Sequence, residues 1–241
     1  MVTEGGPYNA SFAECVSNKS SIQCHTLLEI ARRLATILEA IQLGCVRGNR
    51  RLFSGLNFSL LPGTFVQLTG PNGSGKTSLL RILCGLLAPA EGEVRWQGAN
   101  IRSLGEEYFT FTSYLGHRHG IKDELTGIEN LRISNALNGV EISEQLARSV
   151  VATMGLAGRE NIPARLLSEG QRRRVALARL IVCGTKVWLL DEVLTSLDKA
   201  ATALIRSLIE EHLAKGGIAV VATHQELELK SASVQRLELA T

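Results

Sequence analysis

The chain lacks any uninterrupted apolar stretch of the roughly 18–20 residues that a bilayer-crossing helix needs. The best candidate, VALARLIVCGTKVWLL (Val175–Leu190), is broken by Arg179 and Lys186. It lacks the marks of a secretory leader, because MVTEGGPYNASFAECV has neither a basic start nor an apolar run. The expectation is a soluble protein, or one held at a membrane only through a partner. It lacks paired cysteines: Cys15, Cys24, Cys45, Cys84 and Cys183 are odd in number, widely spaced and never CxxC. That pattern suits reduced thiols in a cytosol better than a disulfide framework. It lacks charge of one sign, with a net charge of only +3, too weak an imbalance to argue for nucleic acid. Internal repeats, low-complexity tracts and sustained heptads are absent as well.

What the chain has is 241 residues that are 45% hydrophobic, enough for one sizeable packed domain or two small ones. Residues 1–25 are polar and aperiodic and read as a disordered tail. TLLEIARRLA, with Leu27, Leu28, Ala31 and Leu34 at helical spacing, predicts a short amphipathic helix. ILEAIQLGCV after it fits a continuation of that helix or a first strand. Farther on, strand-like and helix-like pieces alternate. TFVQLTG, EGEVRWQG, KVWLL and GGIAVVATH read as strands, and KTSLLRILCGLL as a helix. KVWLL and GGIAVVATH are apolar on both faces, as strands of a helix-covered parallel sheet are. Residues 104–168 are longer, more polar and more helical, as in GIENLRISNAL and SEQLARSVVATMGL, and predict an inserted helical subdomain.

One loop carries specific chemistry. Gly70, Pro71, Asn72, Gly73, Ser74, Gly75, Lys76 and Thr77 fit GxxxxGK[ST] between a strand and a helix. Such glycines let successive backbone N–H groups turn inward on an anion, and the next helix aims its positive end at the same point. Lys76 is the candidate point charge for β- and γ-phosphates, and the Thr77 hydroxyl a candidate Mg²⁺ ligand. A metal-bound triphosphate also needs a carboxylate. KVWLLDE provides Asp191 for Mg²⁺ and Glu192, one residue on, as candidate general base for a water. An acidic pair capping a helix N-terminus would be common by itself, but beside a phosphate loop it is the weaker reading of those two. His224 ends another apolar strand, where an imidazole can reach a γ-phosphate, although such a histidine alone is often structural.

LLSEGQRRRVALARL resembles the signature segment of ABC-type ATPases, with Leu167, Ser168, Glu169, Gly170 and Gln171 in the place of LSGGQ. The order of phosphate loop, signature, DE strand, D-loop (Ser196-Leu197-Asp198) and switch histidine His224 is also that family's, across about Ile37–Thr241. The resemblance implies an α/β fold of P-loop NTPase type. It would have a mostly parallel core sheet, an N-terminal antiparallel β subdomain and the inserted helical subdomain, with residues 1–36 as an extension. It also makes ILEA the first strand. It implies ATP and Mg²⁺ as cofactors, with Ser78 joining the phosphate loop in holding nucleotide. Two copies would pair head to tail, each ATP lying between Lys76 of one chain and Ser168 and Gly170 of the other. Val193 where proline is usual, and Glu169 for the middle glycine, depart from the pattern without removing a phosphate contact.

Within that family the chain is similar to the ATP-binding subunits of the cytochrome c maturation (haem exporter) system. The likeness rests on ILEAIQLGCVRGNRRLFSGLNFSL, EGEVRWQG, LGHRHGIKDELTGIENL, QRRRVALARL and KGGIAVVATH. There Arg47 stands where most cassettes carry an adenine-stacking aromatic, and a guanidinium can stack instead. His117 stands where most carry a metal- and partner-sensing glutamine. The implied partner is a separate membrane-spanning ABC subunit (CcmB-like), docked near His117–Leu131. The implied place is the cytoplasmic face of the bacterial inner membrane, peripherally bound. The implied work is haem handling, the release of a haem chaperone. With no CxxCH, and with His25, His117, His119, His212 and His224 forming no axial pair, the subunit itself is not expected to bind haem. Two other classes compete: a cassette for another solute, and a soluble ABC protein acting on nucleic acid. Arg172, Arg173 and Arg174 invite the latter but read more simply as a solvated helix face beside phosphates. A single phosphate loop also argues against it.

Overall fold

The computed structural model describes residues 37–116, 120–194, 198–225, 227–230 and 233–239. All belong to one unit, Ile37–Thr241. The expected tail and helix in residues 1–36, and His117, Ser196 and Leu197, lie outside the described residues.

Two sheets organise this unit. β1 (Leu38–Arg47), β2 (Arg50–Leu60), β4 (Glu91–Trp96) and β5 (Ala99–Asn100) form an antiparallel sheet in the order β2-β1-β4-β5. ILEAIQLGCV is therefore a strand. The hairpin between β1 and β2 turns at Gly48 and Asn49, with Arg47 opposite Arg50. The second sheet holds β3 (Thr64–Thr69), β6 (Thr112–Leu115), β7 (Val187–Asp191), β8 (Ile218–Ala222) and β9 (Ser233–Glu238), in the order β6-β7-β8-β3-β9. Every pairing in it is parallel.

The parallel sheet is buried on both faces, which is why its central strands read as continuous apolar runs. Trp188, Leu190, Ala219 and Val221 face one core, which they share with α4 (Gly127–Leu137), α5 (Glu144–Val151), α6 (Glu169–Cys183) and α7 (Lys199–Ala214). Val187, Leu189, Ile218, Val220 and Ala222 face the other, shared with α1 (Lys76–Leu83) and the antiparallel sheet. The period of two along β7 and β8 thus assigns alternate residues to separate cores. Each fully buried leucine or valine contributes about 1.5–3 kcal/mol.

The span 104–168 is not helical throughout. After α2 (Ile101–Leu104) and α3 (Glu106–Phe111), β6 pairs with β7 and forms an edge of the core sheet. Of its four residues only Leu115 is buried, so TSYL carries no strand periodicity to read. The run of helices beyond it starts with α4, capped by Thr126, whose hydroxyl accepts from Glu129 N while the Glu129 carboxylate accepts from Thr126 N. β9 is likewise a mostly exposed edge strand that the sequence reading passed over.

Candidate functional site

The parallel strands β3 and β7 end on one side of the sheet, and each delivers a functional segment there. β3 runs into the loop Gly70–Gly75, and α1 leaves it at Lys76. Gly70, Gly73 and Gly75 have φ of 140, 80 and 106°, a region open to glycine and costly for other residues. Space enforces the same choice: a Cβ on Gly70 would sit 2.6 Å from the Leu239 carbonyl oxygen. A Cβ on Gly75 would lie 3.1 Å from the ring of Phe53, with Leu52 at 3.2 Å. The antiparallel sheet therefore packs its β2 side chains directly onto the phosphate loop.

Lys76 is 6% exposed, and its Nζ donates to the carbonyls of Gly70 at 2.7 Å and Pro71 at 3.1 Å. The cation is held inside the loop. Ser74 is 1% exposed, and its hydroxyl has no hydrogen-bond partner. A buried orphan hydroxyl is costly, and an anion accepting from it removes that cost. Pro71 and Asn72 form the exposed turn of the loop, closed by the bond from Ser74 N to the Pro71 carbonyl. Thr77 and Ser78 follow in the first turn of α1. Ser78 bonds the Cys45 thiol, which burial pushes up in pKa while Ser78 and Arg47 pull it down. The end of β1 thus lies beside α1, and exposed Arg47 belongs to that rim.

Asp191 is the last residue of β7 and is 3% exposed. The Thr77 hydroxyl and the Asp191 carboxylate are hard oxygen donors of the kind Mg²⁺ selects, so the residues present fit that ion. Glu192 follows at φ 54°, a strained value for a non-glycine residue. Its amide donates to the Ala222 carbonyl at 2.9 Å, and its own carbonyl accepts from Arg173 Nη1 at 3.1 Å. Its carboxylate Oε1 lies 3.8 Å from Nε2 of His224. The turn carrying His224 is held from both sides. Gln225 N donates to the Thr223 hydroxyl at 3.0 Å, and Gln67 Nε2 donates to the Gln225 carbonyl at 3.1 Å. A carboxylate and an imidazole at adjoining strand ends can share custody of one water and its proton.

The signature segment opens α6. Ser168 is its N-cap: the hydroxyl accepts from Gln171 N at 3.3 Å, and Gln171 Oε1 accepts from Ser168 N at 3.0 Å. Leu167 is buried beneath, while Glu169 and Gly170 start the helix with Glu169 on its surface. The N-terminus of α6 is thus presented outward on a rigid base. Asp198 caps α7, its Oδ1 accepting from Ala201 N at 2.7 Å, and its Oδ2 accepts from Arg174 at 2.9 Å.

The ABC transporter family model matches residues 53–195. The protein of Nitrosospira multiformis named "Cytochrome c biogenesis ATP-binding export protein CcmA" is 60% identical over 202 residues, 84% of this chain and 98% of that one. The chain belongs to the ABC transporter family. A second ABC relative with the same printed name, from Nitrosomonas europaea, is 57% identical, covering 85% of this chain and 96% of that one. Among solved structures, a putative ABC transporter ATP-binding protein from Pyrococcus furiosus superposes with a TM-score of 0.72 at 22% identity, covering 84% of this chain and 96% of that one. A dimeric ATP-binding cassette in a post-hydrolysis state, bound to ADP and Pi, superposes with a TM-score of 0.67 at 24% identity, covering 78% and 88%. This chain shares their ABC ATPase fold, and its own described residues form one antiparallel and one parallel sheet. By class, this ABC protein is an ATPase.

The phosphate loop, Asp191, Glu192 and His224 converge on one side of the parallel sheet. The signature segment Leu167–Gln171 begins a separate helix whose N-terminus faces outward. The reading of Arg172–Arg174 as a solvated face needs correction. Arg173 is 5% exposed, and Arg174 is paired with Asp198. Arg172 lies 3.6 Å from Asp123 and 3.4 Å from Glu169. These guanidiniums are committed within the fold. Helical spacing could have exposed this, because Arg173 falls on the same stripe as buried Ala176, Leu177 and Leu180. Phe53, packed on Gly75, was also missed, and only its place in an apolar hairpin hints at it.

Proposed function

We propose that this chain is the ATP-hydrolysing subunit of an ABC assembly serving c-type cytochrome biogenesis, handling haem by releasing a haem chaperone at the membrane. The carrying observation is the 60% identity to a curated cytochrome c biogenesis ATP-binding export protein across 98% of that protein. The site chemistry agrees. Gly70–Ser78 cradle the phosphates, with Lys76 as the cation that swings from the loop carbonyls to the γ-phosphate, and Arg47 stacks on the base. Thr77 and Asp191 hold Mg²⁺, which screens phosphate charge when bound. Glu192 accepts the proton of the attacking water, and His224 orients the γ-phosphate and that carboxylate. His117 occupies the metal- and partner-sensing position.

The second half of the site comes from another copy. Ser168, already a helix cap, and Gly170 complete the γ-phosphate contacts of the facing subunit in a head-to-tail dimer. Leu167, Glu169 and Gln171 shape that helix start, and Asp198 lies at the seam. No helix among the described residues is long and apolar enough to cross a membrane. A separate membrane-spanning subunit receives the closing motion, with this chain bound peripherally on the cytoplasmic face. The subunit itself does not bind haem, and nucleic acid is not its substrate.

The decisive experiment replaces the chromosomal gene with Glu192→Gln. We expect ATP binding to persist, turnover to fall to background, and haem-stained gels to lack mature c-type cytochromes. Normal cytochromes beside abolished turnover would refute the assigned pathway, and full turnover would refute the base. Haem titration of the purified chain is expected to give no stoichiometric shifted Soret band.

A further inference from the structure

We propose that Arg173 is a positioning residue for Glu192: its guanidinium holds that residue's carbonyl and ties the aim of the carboxylate to the seating of the helix that begins at Ser168. The inference rests on the reading of Glu192 as the base and goes beyond it.

Three observations converge. Glu192 leaves β7 in a left-handed conformation, at φ 54°, that its own preference does not maintain. Outside contacts must hold it. The peptide groups on either side of its Cα are both held, the N–H by the Ala222 carbonyl at 2.9 Å and the C=O by Arg173 Nη1 at 3.1 Å. The first grip is backbone from β8. The second is a charged side chain from α6. A guanidinium in a largely buried site makes a stronger bond to a carbonyl than a neutral donor does.

The origin of that side chain gives the contact its meaning. Arg173 lies five residues beyond the N-cap Ser168, on a helix whose first turn is locked by the reciprocal Ser168–Gln171 bonds. At about 1.5 Å per residue, the two are separated by roughly 8 Å of rigid helix. A shift of the helix start is therefore a shift of the guanidinium, and through it of the Glu192 peptide. The neighbouring arginines do other work. Arg172 reaches Asp123, and Arg174 reaches Asp198. Arg179, one helical face away, donates to the Gly120 carbonyl at 3.4 Å. Arg173 is bonded to the residue that bears the carboxylate.

In a head-to-tail pair, Ser168 of one chain meets the nucleotide of the other. Arg173 then makes the base of each chain responsive to phosphate seated at the opposite site. The effect is on geometry at the reacting water and not on nucleotide affinity, and misplacement by about 1 Å costs on the order of 100-fold in rate.

The test compares Arg173→Met and Arg173→Lys with the parent in inside-out vesicles containing the full chain, with Lys76→Ala vesicles as the blank. We expect Arg173→Met to lower kcat about 10–100-fold while KM for ATP and the Kd of the purified chain for a fluorescent ATP analogue change less than about threefold. Arg173→Lys, which keeps a donor cation, should recover a large part of kcat. Unchanged kcat in Arg173→Met would overturn the proposal. So would a loss of kcat, ATP affinity and thermal stability together in both variants, which marks a packing role only. Glu192→Gln in the same vesicles separates the levels. If it turns over like the parent, the base assignment and this inference both fall. If it is inactive beside a fully active Arg173→Met, this inference falls alone.

Discussion

Acidification should destabilise the fold through a single histidine far from any phosphate ligand. His212 stacks on Trp188 with ring centroids 3.8 Å apart and planes 8° from parallel. Its Nε2 lies 3.2 Å from the Ile218 carbonyl, a bond the neutral ring makes as donor. Burial drives its pKa down to about 4 from an ordinary 6.5; bonds to the Ile218 and Lys186 carbonyls oppose the fall, and the charges of Lys186 and Lys215 add to it. The folded state thus prefers the neutral ring, and the unfolded chain takes up the proton first. The stabilisation is complete above pH 6.5 and is lost as pH falls through the window from 6.5 to about 4. At about 1.4 kcal/mol per pH unit the full window is worth at most about 3.5 kcal/mol, and solvent screening of a half-buried ring reduces that to ~1–2 kcal/mol. The assay is urea unfolding of the parent and of His212→Phe, which keeps an aromatic plate against Trp188 but does not titrate. The stability difference, parent minus variant, should shrink by about 1 kcal/mol between pH 7.5 and 5, read as a fall in the parent's urea midpoint relative to the variant's. A difference that stays flat over that range, or that grows as acid is added, would refute the reasoning.

Other perturbations have equally definite outcomes. Lys76→Ala should weaken nucleotide binding at least tenfold by equilibrium dialysis, since it removes the only side-chain cation within the phosphate loop itself. Ser168→Arg should leave ATP binding to the monomer intact but abolish ATP-dependent dimerisation in size-exclusion chromatography; unaltered turnover would contradict the shared site. Gly70→Ala should destabilise the fold by about 2 kcal/mol or more in thermal melts, because its methyl would meet the Leu239 carbonyl oxygen at 2.6 Å. Asp198→Ala should cost about 1 kcal/mol through the lost cap of α7, with Asp198→Asn recovering most of it.

What the sequence disclosed follows from where each residue spends its side chain. KVWLL and GGIAVVATH were legible because strands buried on both faces leave no polar alternation, and the phosphate loop because its glycines serve a fixed backbone geometry. β6 and β9 were hidden for the opposite reason: each lies at an edge, with mostly exposed or half-buried residues and no period to detect. Glu192 and His224 were named separately from strand ends, but only the pairing of β7 with β8 explains why they come within 3.8 Å. Arg173 was masked by its neighbours. Three consecutive arginines look like one charged surface, whereas a helix turns successive residues about 100° apart and sends the middle one inward.

Phe53 offers no hydrogen bond and no charge, yet its ring rests against the backbone of Gly75 at the mouth of the phosphate loop. The curvature of a cradle made from amides is thereby set partly by the bulk of a hydrocarbon plate on a neighbouring hairpin. Trimming that plate to alanine removes the ring that faces Gly75 and leaves every polar group of the loop in the sequence. The packing at position 53 thus belongs to the shape of the phosphate loop although it carries none of its polar groups.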